Sequence, residues 1–186
     1  MSFLRKIYLF LLDTVQTLLL AVSIMLVFYF FLFRPFQVHG DSMYPTFKNN
    51  EFVLTNLITL RFNEPKRGDV IVFKAPTDRN KDFIKRIIGL PGEKLSLRGG
   101  SVFVNDRELS EETYLQDGLK TRGGQFLPEG GEIQIPIDSY AVMGDNRLSS
   151  SDSKDWGFLK KNDIIGVVIF VYWPIGNIRV VKNPIL

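Results

Sequence analysis

The sequence predicts a mainly β chain, with an N-terminal transmembrane helix followed by an all-β domain of several antiparallel sheets. Three observations carry that expectation. Residues 17–33 form one largely apolar run without a single charge. Beyond Pro35 the apolar runs are short and rich in β-branched and aromatic residues, with glycine and proline between them. None of these later runs is long enough for a second span. The expected organisation is a cytoplasmic stub and single anchor at 1–34, then one β-rich domain at 35–186 with a polar excursion around 110–131.

Residues 17–33 rise about 25 Å as a helix, and adding residues 7–16 brings this to about 40 Å, enough to cross a bilayer with tilt. Asp13 would cost about 3 kcal/mol at the bilayer centre, so it belongs near the headgroups. A cleaved secretory signal has an apolar part of about 7 to 15 residues that ends at small residues. This run is longer and ends in Phe33-Arg34-Pro35-Phe36, which makes it a retained anchor. Arg5, Lys6 and the free amine favour a cytoplasmic N-terminus, with Arg34 pulling weakly the other way. The chain is therefore expected to be a single-pass protein of the cell membrane, with everything after Arg34 on the extracytoplasmic face.

Strand composition recurs at 51–56, 70–74, 83–88, 95–98, 101–104, 133–135, 140–143 and 164–173. Gly99-Gly100 is a hairpin signal between two of these segments. Lys66-Arg67-Gly68-Asp69 and Gly89-Leu90-Pro91-Gly92 are turn signals that separate others. Residues 110–131 are polar and glycine-rich, and read as a long excursion or a mobile loop.

Composition narrows the chemistry. With no cysteine and one histidine, thiol catalysis, disulfide scaffolds and multi-histidine zinc sites are excluded. A Ser-His-Asp triad would require His39 as its base. The formal charge of +3, from 23 Lys+Arg against 20 Asp+Glu, is too small and dispersed to point to nucleic acid.

Three segments could carry catalysis. Ser42 lies in His39-Gly40-Asp41-Ser42-Met43-Tyr44-Pro45-Thr46, soon after the anchor; an arbitrary serine in such a turn is ordinarily a cap. His39 is a poor base for it, because residues three apart on an extended chain point to opposite faces. Lys85 lies in Phe83-Ile84-Lys85-Arg86-Ile87-Ile88, where strand alternation brackets it with Phe83 and Ile87. Burial there would lower its pKa from the ordinary value of about 10.4 and let a neutral amine take a serine proton. The alternative is a lysine that reaches solvent from a strand end, and this segment alone leaves both open. The third segment, Gly144-Asp145-Asn146-Arg147 through Gly157, is either a solvated loop or a set of polar groups that orients the lysine.

Taken in order, these motifs resemble type I signal peptidases, the membrane-bound bacterial serine proteases with a Ser-Lys dyad. The likeness rests on Gly40-Asp41-Ser42-Met43-Tyr44-Pro45-Thr46, Arg67-Gly68-Asp69-Val70-Ile71-Val72-Phe73, Phe83 through Gly92, and Gly144 through Gly157. It is closest to the compact Gram-positive-type members. The resemblance implies Ser42 as nucleophile and Lys85 as general base, with Ser150 hydrogen-bonded to the lysine and Asp152 with Lys154 holding that loop. It also implies the Ser42 N–H as an oxyanion donor. Some members add a hydroxyl two residues earlier, where this chain has Gly40, which contributes only backbone or admits a water. The implied apolar pocket is Phe36, Val38, Met43, Phe47, Val72, Phe83 and Ile84.

The expected function is a membrane-bound serine endopeptidase that removes signal peptides from exported preproteins after small residues. Its partners would be secreted preproteins and the lipid bilayer, with no nucleic acid, no metal and no organic cofactor, and the enzyme is expected to be monomeric in the membrane. A catalytically silent, membrane-anchored assembly or binding module on the same fold is the alternative. The presence of both Ser42 and Lys85 argues against it.

Overall fold

The computed structural model describes residues 3–116 and 118–184. Its first element is α1, Phe3–Leu32, a 30-residue helix of about 45 Å. Within it Phe3–Val27 is long and apolar enough to cross a membrane.

The helix passes directly into β1 (Phe33–Gln37), followed by β2 (Phe52–Asn56), α2 (Thr59–Phe62), β3 (Val70–Ala75) and β4 (Asp78–Gly89). Next come β5 (Lys94–Arg98), β6 (Ser101–Val104), β7 (Arg107–Glu108), β8 (Glu132–Gln134) and β9 (Ser139–Met143). The chain finishes with α3 (Ser153–Trp156), β10 (Leu159–Lys160), β11 (Ile164–Trp173) and β12 (Arg179–Val180). Among the described residues one sheet runs β1-β2-β11-β3-β4-β9-β10, with β12 on β11, and a second runs β7-β6-β5-β8. The strand pairs are antiparallel throughout.

Most of these strands follow from alternation, and the departures have identifiable causes. β1 contains Pro35, whose missing N–H is tolerated because β1 is an edge strand bonded only to β2. Its pairing begins at Phe33↔Asn56, so the sheet takes over as soon as the helix ends. β4 begins at Asp78 rather than Phe83 because its polar first half pairs with β3 alone. β3 is buried on both faces, so it reads as a continuous apolar run instead of alternating.

That two-sided burial separates the core. Val70 and Val72 pack with Val38, Met43, Phe47, Val53, Val168 and Val171, while Ile71 and Phe73 pack with Ile87, Tyr140, Val142, Leu159 and Val167. A further cluster joins the two sheets, with Ile88, Ala141 and Met143 against Leu95, Leu97 and Val102. The excursion 110–131 is no loose loop. It buries Tyr114, Thr121 and Leu127. The N–H groups of Phe126 and Leu127 donate to the Lys154 carbonyl at 2.8 and 2.9 Å.

Candidate active site

Ser42 and Lys85 are 43 residues apart in sequence and meet in space, with Lys85 Nζ donating to Ser42 Oγ at 2.7 Å. The amine donates also to the Ile84 carbonyl at 3.0 Å. Strand order produces the meeting. β9 pairs with β4 only from Arg86↔Met143 onward, so beyond Met143 the chain leaves the sheet and opens a space beside Lys85. The Ser42 turn enters that space from the end of β1. Asn146 N–H donates to the Ser42 carbonyl at 3.0 Å, and the Asn146 side-chain amide donates to the Asp41 carbonyl at 3.1 Å.

Gly144 makes this approach possible. A Cβ there would collide with the Ser42 carbonyl and with Ser150 Oγ, so a side chain would push the Ser42 turn away. Gly40 is different. Its φ of +83° suits glycine, yet a Cβ would meet nothing, so the space above it is open. Among the described residues the Ser42 N–H has no backbone partner and can receive an oxyanion.

Lys85 is 4% exposed. Burial pushes its pKa down to about 8; Asp152 and Asp145 oppose that shift, and Lys154 reinforces it. The Phe83 ring covers the amine, with its centroid 5.3 Å from Nζ. The lysine is thus held poised between charged and neutral near physiological pH, unlike one that reaches into solvent.

The loop that follows is braced by charge. Asp152 caps α3 through a capping box, pairs with Lys154 Nζ at 2.6 Å, and accepts the Gly144 N–H at 3.1 Å. Ser150 corrects the expectation that it bonds the lysine. Its Oγ is buried without a hydrogen-bond partner and packs against Gly144, while the hydrogen bonds of Lys85 go to Ser42 and Ile84.

A cleft of about 700 Å³ opens on the dyad, and Phe36, Val38, Val72, Phe83 and Ile84 line it together with Ser42 and Lys85. Met43 and Phe47 do not line it, which corrects their place in the expected pocket. They are 1% and 0% exposed in the cluster beneath, because the turn that presents Ser42 drives its two apolar neighbours inward as its footing. His39 is at the rim, exposed.

Four charged groups near the site had no individual role assigned from the sequence, Asp145 and Arg147 being read only as part of a polar segment that could orient the lysine. Arg86 clamps Asp145 with Nε–Oδ1 at 2.8 Å and Nη2–Oδ2 at 2.6 Å, both side chains buried. Arg147, 2% exposed, binds Glu111 with both ends of its fork. Their only local signal was the presence of Arg86, Asp145 and Arg147 inside the quoted motifs. Glu111 had none. No cluster of groups suited to a metal ion occurs among the described residues.

Known proteins match this chain along most of its length. The family described as signal peptidase, peptidase S26, matches residues 11–173. Signal peptidase I P of Bacillus subtilis subsp. natto is 36% identical over 174 residues, covering 91% of this chain and 93% of that protein. Signal peptidase I of Leptolyngbya laminosa is 36% identical over 182 residues, covering 94% of this chain and 85% of its own. Signal peptidase IB of Staphylococcus aureus is 31% identical over 185 residues, covering 94% and 95%. A crystal structure of a signal peptidase I from Enterococcus faecalis aligns at 29% identity and a TM-score of 0.47, over 56% of this chain and 97% of that one.

Proposed function

Since the chain belongs to the signal peptidase family, peptidase S26, and is a serine peptidase of the signal-peptide-cleaving kind, we propose that it cuts exported preproteins after small residues through an acyl-enzyme on Ser42, with Lys85 as general base. The observation that carries this reading is the 2.7 Å contact between Lys85 Nζ and Ser42 Oγ, made by an amine whose pKa is pushed down to about 8. In its neutral form the amine accepts the Ser42 proton, and Oγ attacks the scissile carbonyl carbon. The carbonyl oxygen becomes negative and takes the Ser42 N–H. The Lys85 ammonium then gives its proton to the departing amine. Asp152 and Asp145 lower the cost of that brief positive charge. A water then completes the cycle: Lys85 takes its proton while the water oxygen attacks the acyl carbon, the acyl bond to Ser42 breaks, and the Lys85 ammonium returns the proton to Ser42 Oγ.

The substrate would lie extended in the cleft. β1 and the first half of β4 each leave one edge unpaired beside it, which suits a peptide added as a strand. Direct passage from α1 into the cleft-lining β1 supports a membrane-anchored enzyme whose cleft stays near the point where a translocated signal peptide emerges. Tethering both partners to one membrane raises their effective concentration. On this reading the N-terminus is cytoplasmic, where Arg5 and Lys6 favour it, and the β domain works on the outer face.

The test is incubation of detergent-solubilised protein with a preprotein, with mass spectrometry of the new N-terminus. Ser42→Ala and Lys85→Ala are each expected to lower turnover by about a thousandfold or more while the protein stays folded. The double variant should be little worse than either, since residues acting as a unit are not additive. Near wild-type cleavage by either single variant would overturn the dyad and favour a silent binding module.

A further inference from the structure

We propose that Glu111, in the excursion 110–131, is a positioning residue for catalysis: through Arg147 it fixes the segment that holds the backbone of Ser42. The inference rests on the Ser42–Lys85 reading and extends it to a part of the chain outside the cleft.

Arg147 is buried beside the nucleophile turn and carries a charge it cannot lose. Its Nε donates to the Gly144 carbonyl at 3.1 Å. Its terminal nitrogens turn the other way, toward the excursion. There Nη1 donates to Glu111 Oε2 at 2.8 Å and to Thr121 Oγ1 at 2.7 Å, and Nη2 donates to Glu111 Oε1. The Glu111 carboxylate thus supplies the counter-charge, and its two oxygens fix the plane of the fork. Tyr114 adds a second link. Its hydroxyl donates to Glu111, and its ring lies 4.2 Å from the guanidinium of Arg86, the residue next to Lys85.

From Gly144 the line is short. Asn146 N–H holds the Ser42 carbonyl and the Asn146 amide holds that of Asp41. Residues 144–147 are therefore gripped by the nucleophile turn on one side and by a guanidinium on the other, and the guanidinium takes its orientation from Glu111. Without the carboxylate, a buried charge is left uncompensated and must move to find water or another partner. A displacement of about 1 Å at a reacting group costs about 100-fold in rate. Glu111 does not line the cleft, so substrate binding should be untouched.

The experiment uses the full chain in detergent and a preprotein substrate, with kcat and KM measured at 25 °C beside the thermal unfolding midpoint. Glu111→Gln should lower kcat about 10- to 100-fold with KM within about twofold. Arg147→Met should lower it similarly, and combining the two should add little. A Leu97→Ala variant, fully buried in the cluster that includes Tyr114, serves as the comparator: it should lower the midpoint and leave kcat unchanged. Thr121→Val removes a single acceptor from Arg147 and should lower kcat by a few fold; it decides the matter if Glu111→Gln does not fold. Wild-type kcat in Glu111→Gln, or in Thr121→Val where the former is unfolded, overturns the proposal, as does a kcat loss in Leu97→Ala equal to that in Glu111→Gln. Ser42→Ala separates the two levels. If it is inactive while Glu111→Gln is fully active, only the positioning role falls; if it is active, the dyad and the positioning role fall together.

Discussion

At the residue scale the proposed chemistry turns on the protonation of one amine. On that proposal Lys85 acts as a base only when neutral, and its pKa is lowered to about 8, first of all by burial. The rate should therefore be low in acid and rise with pH through about 8. Phe83 is part of the apolar cover, with its ring centroid 5.3 Å from Nζ. Phe83→Ser should admit water, weaken the desolvation and move that limb up toward the ordinary lysine value of about 10.4. A pH–rate profile of the two proteins checks both the midpoint and the sign of the change. A limb that stays in place, in a variant shown to be folded, assigns the ionisation to another group.

Among elements, the most demanding joint is that between β4 and the loop after β9. Arg86 reaches from β4 to Asp145 with two hydrogen bonds and to the Gly68 carbonyl with a third, at 2.8 Å, all out of contact with solvent. Asp145→Asn removes the counter-charge and leaves the guanidinium buried. The expected cost is about 3–5 kcal/mol of stability, read from the shift of the denaturant midpoint. A surface pair such as Lys94–Glu132, with side chains 47% and 40% exposed, is screened by solvent and contributes far less. The same joint explains why so small a helix as α3 persists. Its four residues are held by the Asp152 capping box, by Trp156 packed against Phe73, and by the excursion's hydrogen bonds to the Lys154 carbonyl.

Over the whole molecule, the cleft proposed to hold the substrate is one that no single element makes. Phe36 and Val38 come from β1 and the residue after it, Val72 from β3, and Phe83 and Ile84 from β4. An extended peptide between these walls turns alternate side chains to the same side. The residue before the scissile bond and the one two positions earlier should therefore be alanine-like, and the residue between them should be free. A large or charged residue next to the bond would clash or lose its hydration, each a penalty of about 1–3 kcal/mol. A cleavage-site library reads this directly. Selection of Lys, Arg or a large aromatic before the cut would overturn the pocket.

The sequence by itself determined the long apolar helix and most strands, because each is written in a local pattern. The uncharged run before Arg34 becomes α1, and Gly99-Gly100 closes the hairpin that pairs Arg98 with Ser101. Ser42 and Lys85 are marked as a candidate dyad only by four motifs taken in order along the chain, since either segment alone leaves a turn cap or a solvent-reaching lysine open. What only the tertiary structure decided depends on contacts between distant segments. The pairing of Arg86 with Asp145 spans 59 residues and that of Arg147 with Glu111 spans 36, and neither spacing has a local signature. Met43 and Phe47 left the pocket, and Ser150 turned to Gly144, because the direction of a side chain in a turn is fixed by what packs behind it. The pKa of Lys85 belongs to the same class. Alternation placed Phe83 beside it, but desolvation is a property of every segment that closes over the amine, and those come from across the chain.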